Sequence, residues 1–152
     1  MTWSRISADA AMRAMRDAGH LYLDVRTVEE FELGHPRGAY NVPWQLRGAR
    51  GQEPNPQFAR LVGAVFAREQ ALIVGCQSGL RSGPASAALI ELGFLHVAEQ
   101  QAGYAGRRDA FGRMLEPGWE RAGLPTAMQA EVGRSYRELC ALVACVPIEP
   151  TA

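Results

Sequence analysis

The chain has 152 residues, 47% of them hydrophobic and 21% charged, which predicts one globular domain with a core and a short tail. Its 16 Lys and Arg residues balance 16 Asp and Glu residues, so a general attraction for nucleic acid or anionic lipid is excluded and neither is expected as a partner. No apolar run approaches the ~18 residues of a membrane span, and no apolar export segment follows Met1. No membrane partner is therefore expected, and a cytoplasmic location is predicted.

Short helices and strands alternate along the chain. The predicted helices cover 8–18, 27–34, 58–66 and 82–92, and the predicted strands cover 21–25, 39–42, 71–74 and 95–98. Ser7 as N-cap and Gly19 as stop bound the first helix, and Thr27 opens the second with a capping box. The segment 43–57 is rich in proline, glycine and polar residues, which predicts a long surface loop. The alternation predicts an α/β domain with a mainly parallel sheet.

The chain changes character after Pro125. Residues 128–146 carry apolar side chains at helical spacing, which predicts one amphipathic helix. We therefore divide the chain into a domain over 1–126 and a helical tail over 127–152. This tail either docks on the domain or pairs with a second copy as a homodimer, and the sequence leaves both possibilities open.

Cys76 lies where α/β sheets usually bind their ligands. It follows the predicted strand 71–74, and such ligands bind beyond the carboxyl ends of the strands. Its loop leads into the predicted helix 82–92, whose free N–H groups and macrodipole favour an anion such as a thiolate. Gly79 lets the backbone curl so that amides point inward, and Arg81 adds a fixed cation. A cysteine after a buried strand is most often a small core residue, but this combination predicts a reactive sulfur.

Three separate motifs resemble those of the rhodanese family. The loop Cys76-Gln77-Ser78-Gly79-Leu80-Arg81-Ser82 resembles the active-site loop of that family, C-x-x-G-x-R-S. Upstream, its D-V-R…E-F…G-H-x-x-G-A-x-N-x-P signature is matched by Asp24-Val25-Arg26, Glu30-Phe31 and the segment 34–43. Its closing G-W…A-G-L-P element is matched by Gly118-Trp119 and the segment 122–125. The motifs occur in the family's order over about residues 4–126.

This resemblance implies a rhodanese-like domain with a five-stranded, mainly parallel sheet and helices on both faces. It also implies a thiosulfate sulfurtransferase in which Cys76 attacks the outer sulfur of a donor such as thiosulfate and becomes a persulfide. The persulfide then passes its sulfur to cyanide, a thiol or a carrier protein. By the same resemblance Arg81 holds the charged end of the donor, and neither a cofactor nor a metal takes part. The backbone of four loop residues stabilises the sulfur, namely Gln77, Ser78, Gly79 and Leu80.

Two other functions remain open. Gln77 stands where the family often has a basic residue, which favours a sulfur-relay or regulatory protein-binding module with low thiosulfate turnover. A phosphatase or arsenate reductase is disfavoured, because those relatives place arginine six residues after the cysteine whereas Arg81 follows Cys76 by five. The insertion 105–117, with three arginines, is either a docking surface for an acidic partner or a solvated loop.

Supporting roles are assigned to three residues around the loop. Asp24 and Arg26 either orient the loop by hydrogen bonds or form a structural ion pair, and Ser82 begins the helix that follows the loop. Cys140 and Cys145 in the predicted tail helix either relay sulfur or resolve a disulfide with Cys76, or they are buried as small apolar residues. The three histidines are scattered and no cluster has metal-ligand spacing, so no metal site is predicted.

Overall fold

A computed structural model of the protein describes residues 2–143. Its strands are β1 (Ser4–Ile6), β2 (Leu21–Asp24), β3 (His35–Pro36), β4 (Tyr40–Asn41), β5 (Gln45–Gly48), β6 (Gly51–Pro54), β7 (Leu72–Gly75), β8 (Val97–Gln100), β9 (Arg107–Arg108), β10 (Met114–Glu116) and β11 (Thr126–Ala127). Its helices are α1 (Ala8–Ala18), α2 (Val28–Leu33), α3 (Phe58–Val65), α4 (Ser82–Glu91) and α5 (Tyr136–Leu142).

Five parallel strands form the central sheet in the order β1-β8-β7-β2-β4. The predicted α/β class with a five-stranded, mainly parallel sheet is therefore confirmed. Because parallel strands end at the same edge of a sheet, the last residues of the three inner strands lie side by side. Asp24 of β2 is in register with Gly75 of β7, which is in register with Gln100 of β8. The loop after β7 therefore begins at this edge.

Apolar side chains cover both faces of the sheet, because alternate residues of a strand point to opposite faces. Leu72 and Val74 of β7 pack in one buried cluster, together with side chains of α3, α4 and α5. Ile73 packs in a second cluster, together with side chains of α1 and α2. Burial on both faces explains why β7 is a continuous apolar run in the sequence.

The predicted helix ends are present in the first half of the fold. The Ser7 hydroxyl accepts a hydrogen bond from the amide of Ala10 (3.1 Å), and Gly19 ends α1 in the left-handed conformation with φ of 69°. Thr27 and Glu30 form the capping box at the start of α2, in which each side chain accepts from the other's backbone amide. These signals are local, so the sequence predicts them well.

The two strands at one edge differ from the sequence prediction. β1 is not predicted, because Ser4 and Arg5 are exposed and only the pairing with β8 makes this segment a strand. β8 begins at Val97, two residues later than predicted, because Leu95 and His96 are exposed and precede the sheet. An apolar run alone does not locate the register of a strand against its neighbour.

The prediction of a surface loop over 43–57 is wrong. β5 and β6 pair antiparallel, with Gly48 opposite Gly51, and form a hairpin. Gly51 adopts a left-handed backbone next to the turn, with φ of 102°. All four residues of β6 are exposed, so no alternation of apolar and polar side chains reveals the strand.

The single helix predicted over 128–146 is wrong within the described residues, because α5 covers only Tyr136–Leu142. Gly133 has φ of 83°, a left-handed conformation that interrupts a helix. The Ser135 hydroxyl then accepts a hydrogen bond from the amide of Glu138 (3.2 Å) and starts α5. Residues 144–146 of the predicted helix lie outside the described residues.

Helix α5 docks on the domain. Leu139 is fully buried in the same apolar cluster as Leu61 of α3, and Val143 is nearly so. Docking is one of the two possibilities that the sequence leaves open, whereas a homodimer through the tail and the division at residue 126 stay predictions. Within residues 2–143, no helix has the length and apolar content needed to cross a membrane.

Candidate active site

Cys76 follows β7 at the carboxyl edge of the sheet, and its side chain is only 2% exposed. Two backbone amides donate hydrogen bonds to its sulfur, from Gly79 (3.2 Å) and Ser82 (3.3 Å). Across residues 2–143, no hydrogen bond joins this sulfur to the amides of Gln77, Ser78 or Leu80. Of the four loop residues predicted to stabilise the sulfur, Gly79 therefore makes the direct contact, and the first amide of α4 supplies the second.

Gly79 can make this contact because it has no Cβ. Its φ of 101° is one that side chains disfavour, and a Cβ there would lie 2.8 Å from the carbonyl oxygen of Gln101. The curled loop thus aims two N–H dipoles at one sulfur at the start of a helix. This arrangement can stabilise negative charge on the sulfur or on a group bound to it.

Arg81 does not face Cys76 with a free guanidinium. Its two terminal nitrogens bind the two carboxylate oxygens of Glu30, Nη1 to Oε1 at 2.6 Å and Nη2 to Oε2 at 2.9 Å. Burial raises the pKa of the Glu30 carboxyl, but the hydrogen bonds and charge of Arg81 outweigh it, together with Thr27, and lower that pKa to about 2. The cation predicted for the donor is therefore paired with a carboxylate at neutral pH.

Glu30 is not among the site residues predicted from the sequence. Its position in the capping box and in the family signature is visible, but a contact with a residue 51 positions later is not. The sequence does offer one signal for Glu30. It is a carboxylate in the first turn of α2, and α2 follows β2, a strand that ends at the same edge of the sheet as the strand before Cys76.

Asp24 and Arg26 form a buried ion pair, with each side chain 2% exposed and Nη2 2.8 Å from Oδ2. Burial alone would lower the pKa of Arg26, but the neighbouring Asp24 carboxylate raises it above its ordinary value. Arg26 also donates to the side-chain oxygen of Gln77 (3.0 Å) and to the carbonyl oxygen of Gly34 (2.6 Å), and it stacks over the Tyr104 ring. The pair thus contacts the Cys76 loop through Gln77.

Ser82 connects Cys76 to a buried carboxylate. The Cys76 thiol donates to the Ser82 hydroxyl oxygen (3.5 Å), and that hydroxyl donates to Oε2 of Glu99 (2.6 Å). Glu99 is 1% exposed, and its Oε1 accepts from Nε1 of Trp3 (2.9 Å) and contacts Nε of Arg5 (3.4 Å). Glu99 is absent from the sequence prediction, because the strand predicted there ends at residue 98 whereas β8 runs to Gln100.

Other predicted features lie outside this contact network. Cys140 lies on α5, half-buried against the apolar core, and is a free thiol like Cys76. Cys145 lies outside the described residues. The insertion 105–117 contains the antiparallel hairpin of β9 and β10, and its docking role stays a prediction. No group of His, Cys, Asp and Glu side chains that could hold a metal ion occurs in the described part of the chain.

Comparison with known proteins places these features in a family. A family model described as Rhodanese-like domain matches residues 7–109. Thiosulfate sulfurtransferase 16, chloroplastic, of Arabidopsis thaliana is 41% identical over 126 residues, which cover 81% of this chain and 95% of that protein. Protein HIGH ARSENIC CONTENT 1, mitochondrial, of the same plant is 40% identical over 92 residues, covering 60% of this chain and 54% of that protein. This chain thus spans nearly all of the first relative but about half of the second.

A solved structure is similar over most of the fold. The crystal structure of Rv0390 from M. tuberculosis matches with a TM-score of 0.66 and 26% identity, covering 84% of this chain and 100% of that chain. The match supports the parallel sheet and its flanking helices as the architecture of this domain.

The predicted cytoplasmic location is contradicted by these relatives, which are chloroplastic and mitochondrial by name. The cytoplasmic location is predicted from the lack of an apolar export segment alone. Organellar transit peptides are amphipathic and Arg-rich, so the lack of an apolar segment does not distinguish the cytoplasm from an organelle.

Proposed function

The chain belongs to the Rhodanese-like domain family, and from this membership we propose that it is a sulfurtransferase that carries sulfane sulfur on Cys76. Sulfurtransferase activity in general is supported by the 41% identical thiosulfate sulfurtransferase. The observation that carries the finer proposal is the pair of amide hydrogen bonds, from Gly79 and Ser82, to the sulfur of Cys76. They can stabilise the Cys76 thiolate before its attack and the negative charge that returns to its sulfur in the second half-reaction.

The proposed reaction has two steps. The Cys76 thiolate attacks the outer sulfur of a donor such as thiosulfate, a new S–S bond forms, and sulfite leaves with the electron pair of the broken S–S bond. A nucleophilic acceptor (cyanide, a thiol or a carrier protein) then attacks the outer sulfur of the Cys76 persulfide. The bond to Cys76 breaks, and its sulfur regains the thiolate electron pair. Covalent catalysis of this kind divides one transfer into two easier steps.

Replacement of Cys76 by serine is expected to abolish sulfur loading. After incubation with thiosulfate, the intact wild-type protein should gain one sulfur atom, about 32 Da, because a persulfide forms. Cys76→Ser should gain nothing, whereas the control Cys140→Ser should gain as much as the wild type. Intact-protein mass spectrometry measures all three, and a gain in Cys76→Ser would contradict the proposal.

A second candidate is a sulfur-relay or regulatory module that uses thiosulfate poorly, and the pairing of Arg81 with Glu30 favours it. Thiosulfate is a dianion, and its binding needs positive charge. Gln77 supplies none, the charge of Arg81 is balanced by Glu30, and that of Arg26 is balanced by Asp24. The same pairing argues against a phosphatase or arsenate reductase, which needs an arginine fork free for an oxyanion.

Glu30→Gln is expected to increase thiosulfate use, because it removes the charge that balances Arg81. A glutamine at this position still completes the capping box of α2, so the helix should keep its start. We expect kcat/KM for thiosulfate to rise about threefold to tenfold, or about 0.6–1.4 kcal/mol, which is slightly less than one charge-assisted hydrogen bond contributes. A cyanide-dependent thiocyanate assay at several thiosulfate concentrations measures it.

Glu29→Gln is the matched control, since it makes the same change of net charge at an exposed neighbour on α2. It should leave kcat/KM unchanged. An equal rise in both variants would show that overall charge, rather than release of Arg81, controls thiosulfate use. No rise in Glu30→Gln would remove the structural support for the second candidate.

A further inference from the structure

The Ser82 hydroxyl lies between two buried groups that compete for its single hydrogen. Its oxygen is 2.6 Å from Oε2 of Glu99 and 3.5 Å from the sulfur of Cys76. The shorter distance and the charge of a carboxylate assign the hydrogen to Glu99, because charge-assisted O–H···O bonds are short and strong. The lone pairs of the hydroxyl oxygen therefore face Cys76, and the thiol hydrogen points toward them.

Glu99 has donors on both oxygens. Trp3, just before β1, and Arg5 of β1 bind Oε1, and Ser82 of α4 binds Oε2. With 1% exposure, the carboxylate is stabilised by these contacts rather than by bulk water. The hydrogen bonds of Glu99 have no part in the proposed sulfur-transfer steps, although they reach Cys76 through the Ser82 hydroxyl.

We infer that Glu99, acting through the Ser82 hydroxyl, is a positioning residue that restrains the nucleophilicity of Cys76. A hydrogen bond accepted from the thiol stabilises the neutral form, and a nearby carboxylate disfavours a second anion. The amides of Gly79 and Ser82 act in the opposite direction. The inference rests on the proposed role of Cys76 as the nucleophile and describes how its reactivity is set.

The other groups around Cys76 do not depend on Glu99. Among the described residues, Arg81 at the start of α4 and Tyr22 of β2 also interact electrostatically with Cys76. Arg81 is held by Glu30, and the Tyr22 hydroxyl donates to the side chain of Gln100 (2.6 Å). The ion pair of Asp24 with Arg26 lies at the same sheet edge. A change at Glu99 leaves each of these partners in place.

Glu99→Gln should reverse the direction of the hydrogen bonds. Trp3 and Arg5 are donors and require an acceptor, so the amide oxygen of the substituted side chain should take the position of Oε1. The amide nitrogen then faces the Ser82 oxygen and donates to it. The hydroxyl hydrogen of Ser82 must turn to the sulfur of Cys76, where it stabilises a thiolate.

The test measures alkylation of Cys76 by iodoacetamide as a function of pH, with peptide mass spectrometry to identify the modified cysteine. In Glu99→Gln we expect alkylation at pH 7 to be about threefold to tenfold faster, with the pH profile of the rate shifted to lower pH. Glu91→Gln, an exposed glutamate at the end of α4, is the charge-matched control and should behave as wild type. Slower alkylation and a higher midpoint in Glu99→Gln would mean that Glu99 accepts the thiol proton, which overturns the inference.

A Ser82→Ala background separates the hydroxyl from direct charge repulsion. Adding Glu99→Gln to this background should accelerate alkylation much less than it does in the wild type, because no hydroxyl remains to be turned. An equal acceleration would show that Glu99 acts on Cys76 directly, and the role of Ser82 would be rejected.

Alkylation requires no sulfur donor. A failure of the proposed sulfurtransferase function would appear separately, as the absence of a mass gain with every donor.

Discussion

Gly103→Ala is expected to reduce sulfur loading of Cys76 by about 10²-fold, the loss that a displacement of roughly 1 Å can cause at a reacting group. A Cβ on Gly103 would lie 2.4 Å from the carbonyl oxygen of Cys76 and 2.7 Å from that of Gln77, distances that require the backbone to move. These two carbonyls accept hydrogen bonds from the amides of Tyr104 (2.8 Å) and Ala105 (2.9 Å). The segment after β8 therefore holds the loop that carries Cys76, and pushing the two apart should displace the sulfur from its amides.

Gly123→Ala is the matched control for this prediction. Gly123 has φ of 75°, close to the 67° of Gly103, but a Cβ there would meet no atom within 4 Å. Both variants suffer the same kind of backbone strain, and only Gly103→Ala crowds the loop. The initial rate of mass gain with thiosulfate, measured alongside thermal unfolding, distinguishes the two effects. Equal loading in both variants would show that the close packing of Gly103 on the loop is unimportant for the reaction.

Asp24→Ala is expected to lower the free energy of unfolding by about 3–5 kcal/mol, because it leaves the charge of Arg26 buried without its partner. Both side chains are 2% exposed, and three hydrogen bonds join the Arg26 guanidinium to the carboxylate. The remaining contacts of Arg26, with Gln77, the carbonyl oxygen of Gly34 and the Tyr104 ring, carry no negative charge that could replace Asp24. Urea denaturation followed by circular dichroism measures the change.

Asp17→Ala removes a carboxylate from an ion pair at the surface, where Arg16 and Asp17 are 58% and 62% exposed, and it should produce no measurable change. Comparing Asp24→Ala with Asp17→Ala separates the effect of burial on the free energy of unfolding from the effect of losing a carboxylate. A small effect of Asp24→Ala would mean that water or another anion reaches Arg26. The buried pair would then not be required for stability.

Much of this fold follows from local patterns. The N-cap at Ser7, the capping box at Thr27 and the buried strand β7 depend on residues within a few positions of each other, which is why they are predicted correctly. Cys76 and Gly79 belong to the same class, since a strand, a curled loop and a helix start follow one another directly along the chain. Their joint occurrence is what indicates a reactive sulfur.

The wrong predictions have a different origin. The exposed hairpin of β5 and β6 carries no apolar alternation, and β1 becomes a strand only through its pairing with β8. In the tail, the apolar spacing continues across Gly133, but the backbone there is left-handed and α5 starts later. In each case a backbone contact or conformation outweighs the side-chain pattern from which the prediction is made.

The sequence alone determines the α/β class, the succession of the central helices and strands along the chain, and the candidate nucleophile. Short-range patterns encode all three. Only the tertiary structure decides which charges are free around that residue. Arg81 pairs with Glu30 from a segment 51 positions away, and Ser82 contacts Glu99 from the next strand of the sheet. Ion pairs and hydrogen bonds depend on distances of about 3 Å between atoms, and such distances are set when separate segments pack together.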